Sequence, residues 1–75
     1  MKKEDKIKVN SVVQINESGK EGWIGCFVQV SEVKHWGIQG WVQIPMQGSA
    51  YTRLKWDEID YIGEAIMTLQ EENNN

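Results

Sequence analysis

The alternation of short apolar segments with turn-forming residues is the feature that most constrains how this chain can fold. Each segment is rich in β-branched or aromatic residues, a composition typical of β-strands. The five predicted strands are residues 12–15, 26–34, 37–45, 50–54 and 60–69. Their short lengths and the turn residues between them predict an all-β protein.

The connections between the predicted strands favour one architecture. Residues 16–25 make a long first loop, in which three glycines supply turn chemistry. Residues 34–37 and 46–48 suit hairpin turns, and residues 55–58 suit one short helical turn before the last strand. A long loop, two hairpins and a single helical turn match an SH3-like barrel, so we expect one small five-stranded SH3-like β-barrel.

The length of 75 residues limits the chain to a single domain of marginal stability. We expect the barrel at residues 9–69, between a flexible N-terminus at residues 1–8 and a disordered tail at residues 70–75. No apolar run approaches the ~18 residues of a membrane span, and no apolar stretch follows the basic N-terminus as in a secretory signal. These observations predict a cytoplasmic protein, and the lone Cys26 fits a reducing compartment.

The net charge of −3 argues against general nucleic-acid binding. Such binding needs a concentrated set of Lys and Arg side chains that displace counterions from the phosphates. Half of the eight basic residues crowd the N-terminus, and the others are scattered. We therefore expect no general affinity for nucleic acid.

The residues that are candidates for catalysis or metal binding lack the partners which that chemistry needs. Asp57, Glu58 and Asp60 cluster without a nearby histidine, so they are interpreted as turn-capping or solvated carboxylates. His35 lies in a predicted turn, and Cys26 has no neighbouring cation in the sequence that would activate its thiol as a nucleophile. The glycines at 19, 22 and 25 lack the strand-then-helix context of a phosphate loop. We expect no enzymatic activity, no catalytic residues, no cofactor and no metal.

Aromatic residues are the strongest indication of function, because four tryptophans accompany a single phenylalanine. Strand alternation directs Trp41 away from the core, and it places Tyr51 and Arg53 together on one face of the next strand. Trp56 and Tyr61 are expected in the core or at its rim. The candidate binding residues are Trp36, Gln39, Trp41, Gln43, Tyr51 and Arg53. The alternative is that these aromatics only stabilise the sheet through cross-strand pairs.

Several short motifs resemble those of small phage- and prophage-encoded proteins of unassigned role with an SH3-like barrel. The motifs are Glu32-Val33-Lys34, Trp36-Gly37, Gly40, Pro45, Gly48, Ala50-Tyr51, Arg53, Trp56-Asp57-Glu58 and Ile62-Gly63-Glu64-Ala65. The resemblance covers roughly residues 12–65 and brings no active site with it. It implies a phage setting, in which very small acidic proteins commonly act on host machinery or host defence.

Two hypotheses of function follow from these patterns. The preferred one is a non-enzymatic phage protein that binds a host protein through an exposed aromatic surface, in host takeover or anti-defence. The alternative is a homo-oligomeric sequestering protein for a small nucleotide signal, with bases stacked on Trp or Tyr and phosphates bound by Arg53, Lys34 or backbone N–H groups. Single-stranded nucleic-acid binding ranks last, because it also needs a positively charged groove.

Overall fold

The computed structural model describes residues 2–65, and it is mostly β-structure. Its five strands are β1 (Ser11–Ile15), β2 (Phe27–Lys34), β3 (Gly37–Ile44), β4 (Gly48–Lys55) and β5 (Ile59–Glu64). A single 3-10 turn, Trp56–Glu58, connects β4 to β5, as the sequence predicts. The all-β class is confirmed.

The five strands form one antiparallel sheet in the order β4-β3-β2-β1-β5. Each strand pairs with its neighbours in this order, and β4 and β5 are the two edges. Within residues 2–65 the sheet is therefore not closed as a barrel, in contrast to the predicted closure. Sequence patterns indicate which segments form β-strands. Whether the two edge strands meet depends on the curvature of the assembled sheet, which local patterns do not encode.

The N-terminal segment contains an element that the sequence analysis does not predict, the short helix α1 (Lys3–Lys6). Ile7 follows it and is only 4% exposed, within the core. The Lys3 ammonium donates a hydrogen bond to the Ile59 carbonyl oxygen and lies 3.5 Å from Oδ1 of Asp60. These contacts attach α1 to β5. No helix within residues 2–65 is long and apolar enough to cross a membrane.

The end of the predicted last strand and the whole predicted tail lie outside the described residues. The prediction placed the strand at residues 60–69, whereas β5 ends at Glu64. Residues 66–69 and the tail at 70–75 are among those not described. The disorder expected for the tail and the flexibility expected for residues 1–8 both stay predictions.

The core is aliphatic and lies on one face of the sheet. Its members alternate along the strands with exposed or half-buried residues, as expected when one face of a sheet is buried. The buried hydrophobic residues are Ile7, Val13, Ile15, Val28, Val30, Ile38, Val42, Leu54 and Ile59. Trp56 and Tyr61 pack against this core while half-buried, so they lie at its rim.

A β-bulge interrupts the pairing of β2 with β3 between Val30 and Glu32. Beyond the bulge Val33 is paired with Ile38, which places it on the core side of the sheet. Its side chain nevertheless remains 40% exposed, so the core-side position does not bury Val33. The bulge leaves Ser31 as the extra residue opposite β3.

Candidate functional site

The surface that carries the predicted site is the face of β2, β3 and β4 opposite the core, which we call the outer face. Strand pairing sets its side chains in cross-strand rows. One row runs Gln29, Trp41, Tyr51 and the next runs Phe27, Gln43, Ser49. A third row, nearer the β2–β3 turn, holds Glu32, Gln39 and Arg53.

Trp41 and Tyr51 form the aromatic centre of the outer face. They are direct partners in the pairing of β3 with β4, and their ring centroids are 5.0 Å apart at an interplanar angle of 62°. This edge-to-face arrangement suits the opposite partial charges of ring faces and ring edges. Trp41 is still 49% exposed and Tyr51 43% exposed. The predicted outward orientation of Trp41 is confirmed, and much of both rings stays available for contact.

A hydrogen-bond chain across β3 fixes the Tyr51 ring. The Tyr51 hydroxyl lies 2.7 Å from Oγ of Ser31, and that Oγ is also 3.2 Å from the Gln39 carbonyl oxygen. A serine hydroxyl has one proton to donate, so Ser31 donates to the carbonyl and accepts from Tyr51. The extra residue of the β2 bulge thus anchors an aromatic side chain of β4.

An open groove of about 670 Å³ adjoins this aromatic centre at the end of the sheet nearer the β2–β3 turn. Its lining residues come from the turn, from β3 and β4, and from the 3-10 turn. They are Trp36, Gln39, Arg53, Leu54, Lys55 and Glu58. Arg53 and Lys55 form no ion pair with any other residue in the range 2–65, so both cations are available to a ligand.

The groove is held together by contacts between the 3-10 turn and the β2–β3 turn. Nε1 of Trp56 donates a 2.9 Å hydrogen bond to the His35 carbonyl oxygen. The backbone N–H of Lys55 donates to Oε1 of Glu58 at 2.7 Å, which caps the turn. Gly37 permits the close approach of β3 to β4, because a Cβ there would overlap the backbone of Leu54.

Charge is distributed unevenly over the outer face. The two rows around Trp41 and Gln43 contain aromatic, amide and hydroxyl side chains and no charged one. The charged residues lie toward the groove, where Lys34 is 2.8 Å from Oε1 of Glu32. Lys34, an expected phosphate contact, is therefore already paired with a carboxylate. Lys55, beside Arg53, forms no ion pair with another residue in the described range.

All six residues predicted for the site lie on strands β3 and β4 or in the turn before β3. Trp36, Gln39 and Arg53 line the groove, while Trp41 and Tyr51 form the aromatic pair. Gln43 is exposed in the adjoining row, opposite Phe27 and Ser49. The structure brings these side chains onto one continuous surface, and whether they bind a partner stays a prediction.

Sequence reasoning missed Leu54, Lys55 and Glu58 as residues of the groove. The sequence could have placed Lys55 at the site, because it is two positions after Arg53 and strand alternation puts both side chains on one face. The sequence gives no such indication for Glu58, since only the docking of the 3-10 turn brings it to the groove.

A separate titratable cluster joins β1 to β5. Oε2 of Glu64 accepts hydrogen bonds from the Tyr61 hydroxyl at 2.8 Å and from the buried Ser11 hydroxyl at 2.9 Å. The hydrogen bond from Tyr61 makes the largest contribution to lowering the pKa of Glu64, and the hydrogen bond from Ser11 makes the next largest. The nearby charge of Lys8 also lowers this pKa. The hydrogen bond with Glu64 raises the pKa of Tyr61. This cluster ties the two strands together.

The remaining candidates for chemistry are dispersed. His35 is exposed in the β2–β3 turn, and Cys26 is half-buried against the core. In the part of the chain that the structure describes, no three His, Cys, Asp or Glu side chains converge as they would to hold a metal ion.

Comparison of the chain with protein-family models, with curated proteins and with solved structures finds no match.

Proposed function

We propose that this protein is a non-enzymatic, phage-encoded binding protein that captures a host protein on its outer face, in host takeover or anti-defence. The observation that carries the proposal is the exposed Trp41–Tyr51 pair at the centre of rows without charged side chains. The phage setting comes from the resemblance described above. Action in the host cytoplasm follows from that setting.

The composition of the outer face favours a protein as its partner. The centres of protein interfaces are rich in aromatic residues and Arg and poor in Lys, Glu and Asp. The rows around Trp41 follow this rule, and Arg53 borders them. The negative net charge of the chain favours fast association with a basic surface on the host protein.

The rigidity of the aromatic pair supports the same proposal. Binding loses affinity when side chains must be ordered, and a side chain that is already held loses less. Tyr51 is held at its hydroxyl by Ser31 and along its ring by Trp41. The pair therefore offers a preformed contact surface.

We also propose that the sheet is of the SH3-like type. The long loop between β1 and β2, the two hairpins and the 3-10 turn before β5 support this assignment. The fold type carries no function by itself.

The second candidate function is sequestration of a small nucleotide in the groove, and one observation favours it. Arg53 and Lys55 lack ion-pair partners within residues 2–65, and they line the groove together with Trp36. An indole ring and two free cations match a base and its phosphates. The groove is open, so a second copy of the chain would help to enclose a ligand.

The test of the preferred function is a pull-down from host lysate with the tagged protein and two variants. Trp41→Ala removes the centre of the outer face, whereas Ile62→Ala truncates a comparably exposed apolar residue on β5. We expect a stoichiometric host protein with the unmodified chain and with Ile62→Ala, and its loss with Trp41→Ala. Retention of the host protein by Trp41→Ala would contradict the proposed surface.

The nucleotide alternative is tested on the same purified samples by chromatography of the small molecules that they release on denaturation. Arg53→Ala removes a groove cation that has no ion-pair partner among the described residues, and Lys34→Ala removes a cation already paired with Glu32. A nucleotide that is lost with Arg53→Ala and retained with Lys34→Ala, in the absence of a protein partner, would favour sequestration over the preferred function.

A further inference from the structure

The two edges of the sheet differ in how they are protected. The β5 edge is short, and its pairing with β1 contains a register shift between Val12 and Val13. Helix α1 packs beside this edge, and the Lys3 ammonium donates a hydrogen bond to the Ile59 carbonyl oxygen. Bulges, short strands and covering segments are three of the ways in which proteins block unwanted pairing at an edge.

The β4 edge has none of these protections among the described residues. Its eight residues, Gly48–Lys55, pair with β3 without a register shift. Within residues 2–65 no other segment makes a backbone hydrogen bond with β4 besides β3. A long, regular edge of this kind leaves a row of N–H and C=O groups ready to accept another strand.

We propose that β4 pairs with β4 of a second copy of this chain, antiparallel and about a two-fold axis at Thr52, to form one continuous sheet of two copies. The proposal does not depend on the proposed function. The order of side chains along β4 indicates that the strand paired with this edge is β4 of a second copy.

The register follows from the charges and rings of β4. Pairing centred on Thr52 places each Tyr51 opposite Arg53 of the second copy, and this occurs twice in the dimer. A guanidinium beside an aromatic ring is a favourable cross-strand pair. Ser49 faces Lys55 of the second copy, so no like charges are opposed.

Neighbouring symmetric registers are less favourable. A two-fold axis at Arg53 would oppose the two Arg53 guanidinium groups directly, and an axis at Leu54 would oppose Arg53 to Lys55 of the second copy. Like charges directly opposite each other destabilise a sheet. An axis at Tyr51 avoids such repulsion but forfeits both ring–guanidinium pairs.

The core side of the sheet fits the same register. Ala50 and Leu54 lie on the side of β4 that faces the core, opposite Val42 and Ile38 of β3. In the proposed dimer Ala50 faces Leu54 of the second copy, a small residue against a large one. The outer faces of both copies then lie side by side, because a two-fold axis perpendicular to the sheet preserves its faces.

Sedimentation of the unmodified protein is the first test, over concentrations from about 1 μM to about 500 μM, the micromolar range in which modest interfaces associate. We expect the mass to rise with concentration from 8.7 kDa toward twice that value. Tyr51→Arg creates two Arg–Arg oppositions and should weaken dimerisation about tenfold or more. Tyr51→Phe keeps the ring and should dimerise like the unmodified protein. A mass that stays monomeric throughout would overturn the proposal.

Disulfide cross-linking tests the register, with Cys26→Ser as background so that the introduced thiol is the only one. Thr52→Cys places two thiols on the axis, where paired Cα atoms are about 4.5–5.5 Å apart. Ser49→Cys, on the same strand, places them roughly 20 Å apart. We expect rapid dimer cross-linking at position 52 and little at position 49. Equal rates at both positions would overturn the register. Sedimentation of the unmodified chain remains a test if the cysteine variants fail to fold.

Discussion

The hydroxyl of Tyr51 lies 2.7 Å from Oγ of Ser31, although β3 separates the strands that carry these two residues. The bond crosses the outer face next to Trp41 and fixes the tyrosine ring against the sheet. The aromatic centre of the candidate site therefore depends on a serine in the β2 bulge, far from it in sequence.

Tyr51→Phe should keep the ring but lose this bond. We expect a decrease of about 0.5–1 kcal/mol in the free energy of unfolding, because the hydrogen bond is solvent-exposed and contributes modestly. Urea unfolding followed by tryptophan fluorescence measures the change.

Ser31→Ala should have a similar effect, and the double variant should cost less than the sum of the two single variants. Strict additivity of the two costs would mean that the hydroxyl groups do not interact in solution.

Trp41→Ala should cost little stability compared with a core truncation on the same strand. Trp41 is half-exposed, and loss of its pairing with Tyr51 should cost about 1 kcal/mol. Ile38→Ala empties a fully buried site and should cost about 2–5 kcal/mol. Denaturant unfolding of both variants checks the order, and an equal loss for Trp41→Ala would place that ring in the core.

Gly40→Ala should destabilise the sheet by about 1–3 kcal/mol, because the added Cβ would overlap the Gln29 carbonyl oxygen of the neighbouring strand. Backbone must shift to accommodate it. Gly63→Ala is the matched control, since a Cβ there meets no atom within 4 Å. Its thermal midpoint should remain close to that of the unmodified protein. Similar midpoints for the two alanine variants would show that β2 and β3 are not in close contact at Gly40.

Stability should fall at acid pH partly through Glu64. Its pKa is lowered from 4.5 by the bonds from Tyr61 and Ser11, so the folded state binds this proton less readily than the unfolded state. The contribution of Glu64 to the free energy of unfolding is complete above the pKa that Glu64 has in the unfolded chain. It is lost as the pH falls through the lower pKa that Glu64 has in the folded protein. Urea unfolding of the unmodified protein and of Glu64→Gln should differ at pH 7.

That difference should shrink as the pH falls below about 4.5, where the unfolded chain takes up the proton. A difference that does not change with pH would show that the Glu64 carboxylate does not titrate as part of this cluster.

Tyr61 should lower the free energy of unfolding as the pH rises into the alkaline range, whereas Glu64 lowers it as the pH falls. Its pKa is raised above 10.0 by the bond to Glu64, so folding favours the protonated phenol. This contribution is present below the unfolded pKa and is lost as the pH rises through the folded pKa. Tyr61→Phe should reduce the loss of stability above pH 10.0, as measured by urea unfolding. An unchanged alkaline loss in this variant would assign the loss to other groups.

Strand alternation predicted much of the outer face correctly, because it depends on local backbone geometry alone. In β3, Ile38 and Val42 are buried, whereas Trp41 and Gln43, on either side of Val42, are exposed. A repeat of two residues along a strand requires this pattern. The positions of the hairpins and of the 3-10 turn were also predictable, since their turn residues stand between the apolar segments.

Other features have no local signature. The burial of Ile7 requires α1 to pack beside β5, and nothing in the residues around Ile7 indicates that neighbour. Glu58 reaches the groove because its turn is tied through Trp56 to His35. These contacts join residues that are distant in sequence, so they appear only once the strands are ordered.

The amino-acid sequence by itself determined which segments are strands, which side chains of each strand point away from the core, and that the chain is rich in aromatic surface. Short-range sterics and hydrophobic periodicity are sufficient for these features. Only the tertiary structure decided that Ser31 anchors Tyr51, that Arg53 and Lys55 border one groove, and that β4 is an open edge of the sheet that residues 2–65 form. Strand order and pairing register determine these relationships, and both are properties of the whole sheet.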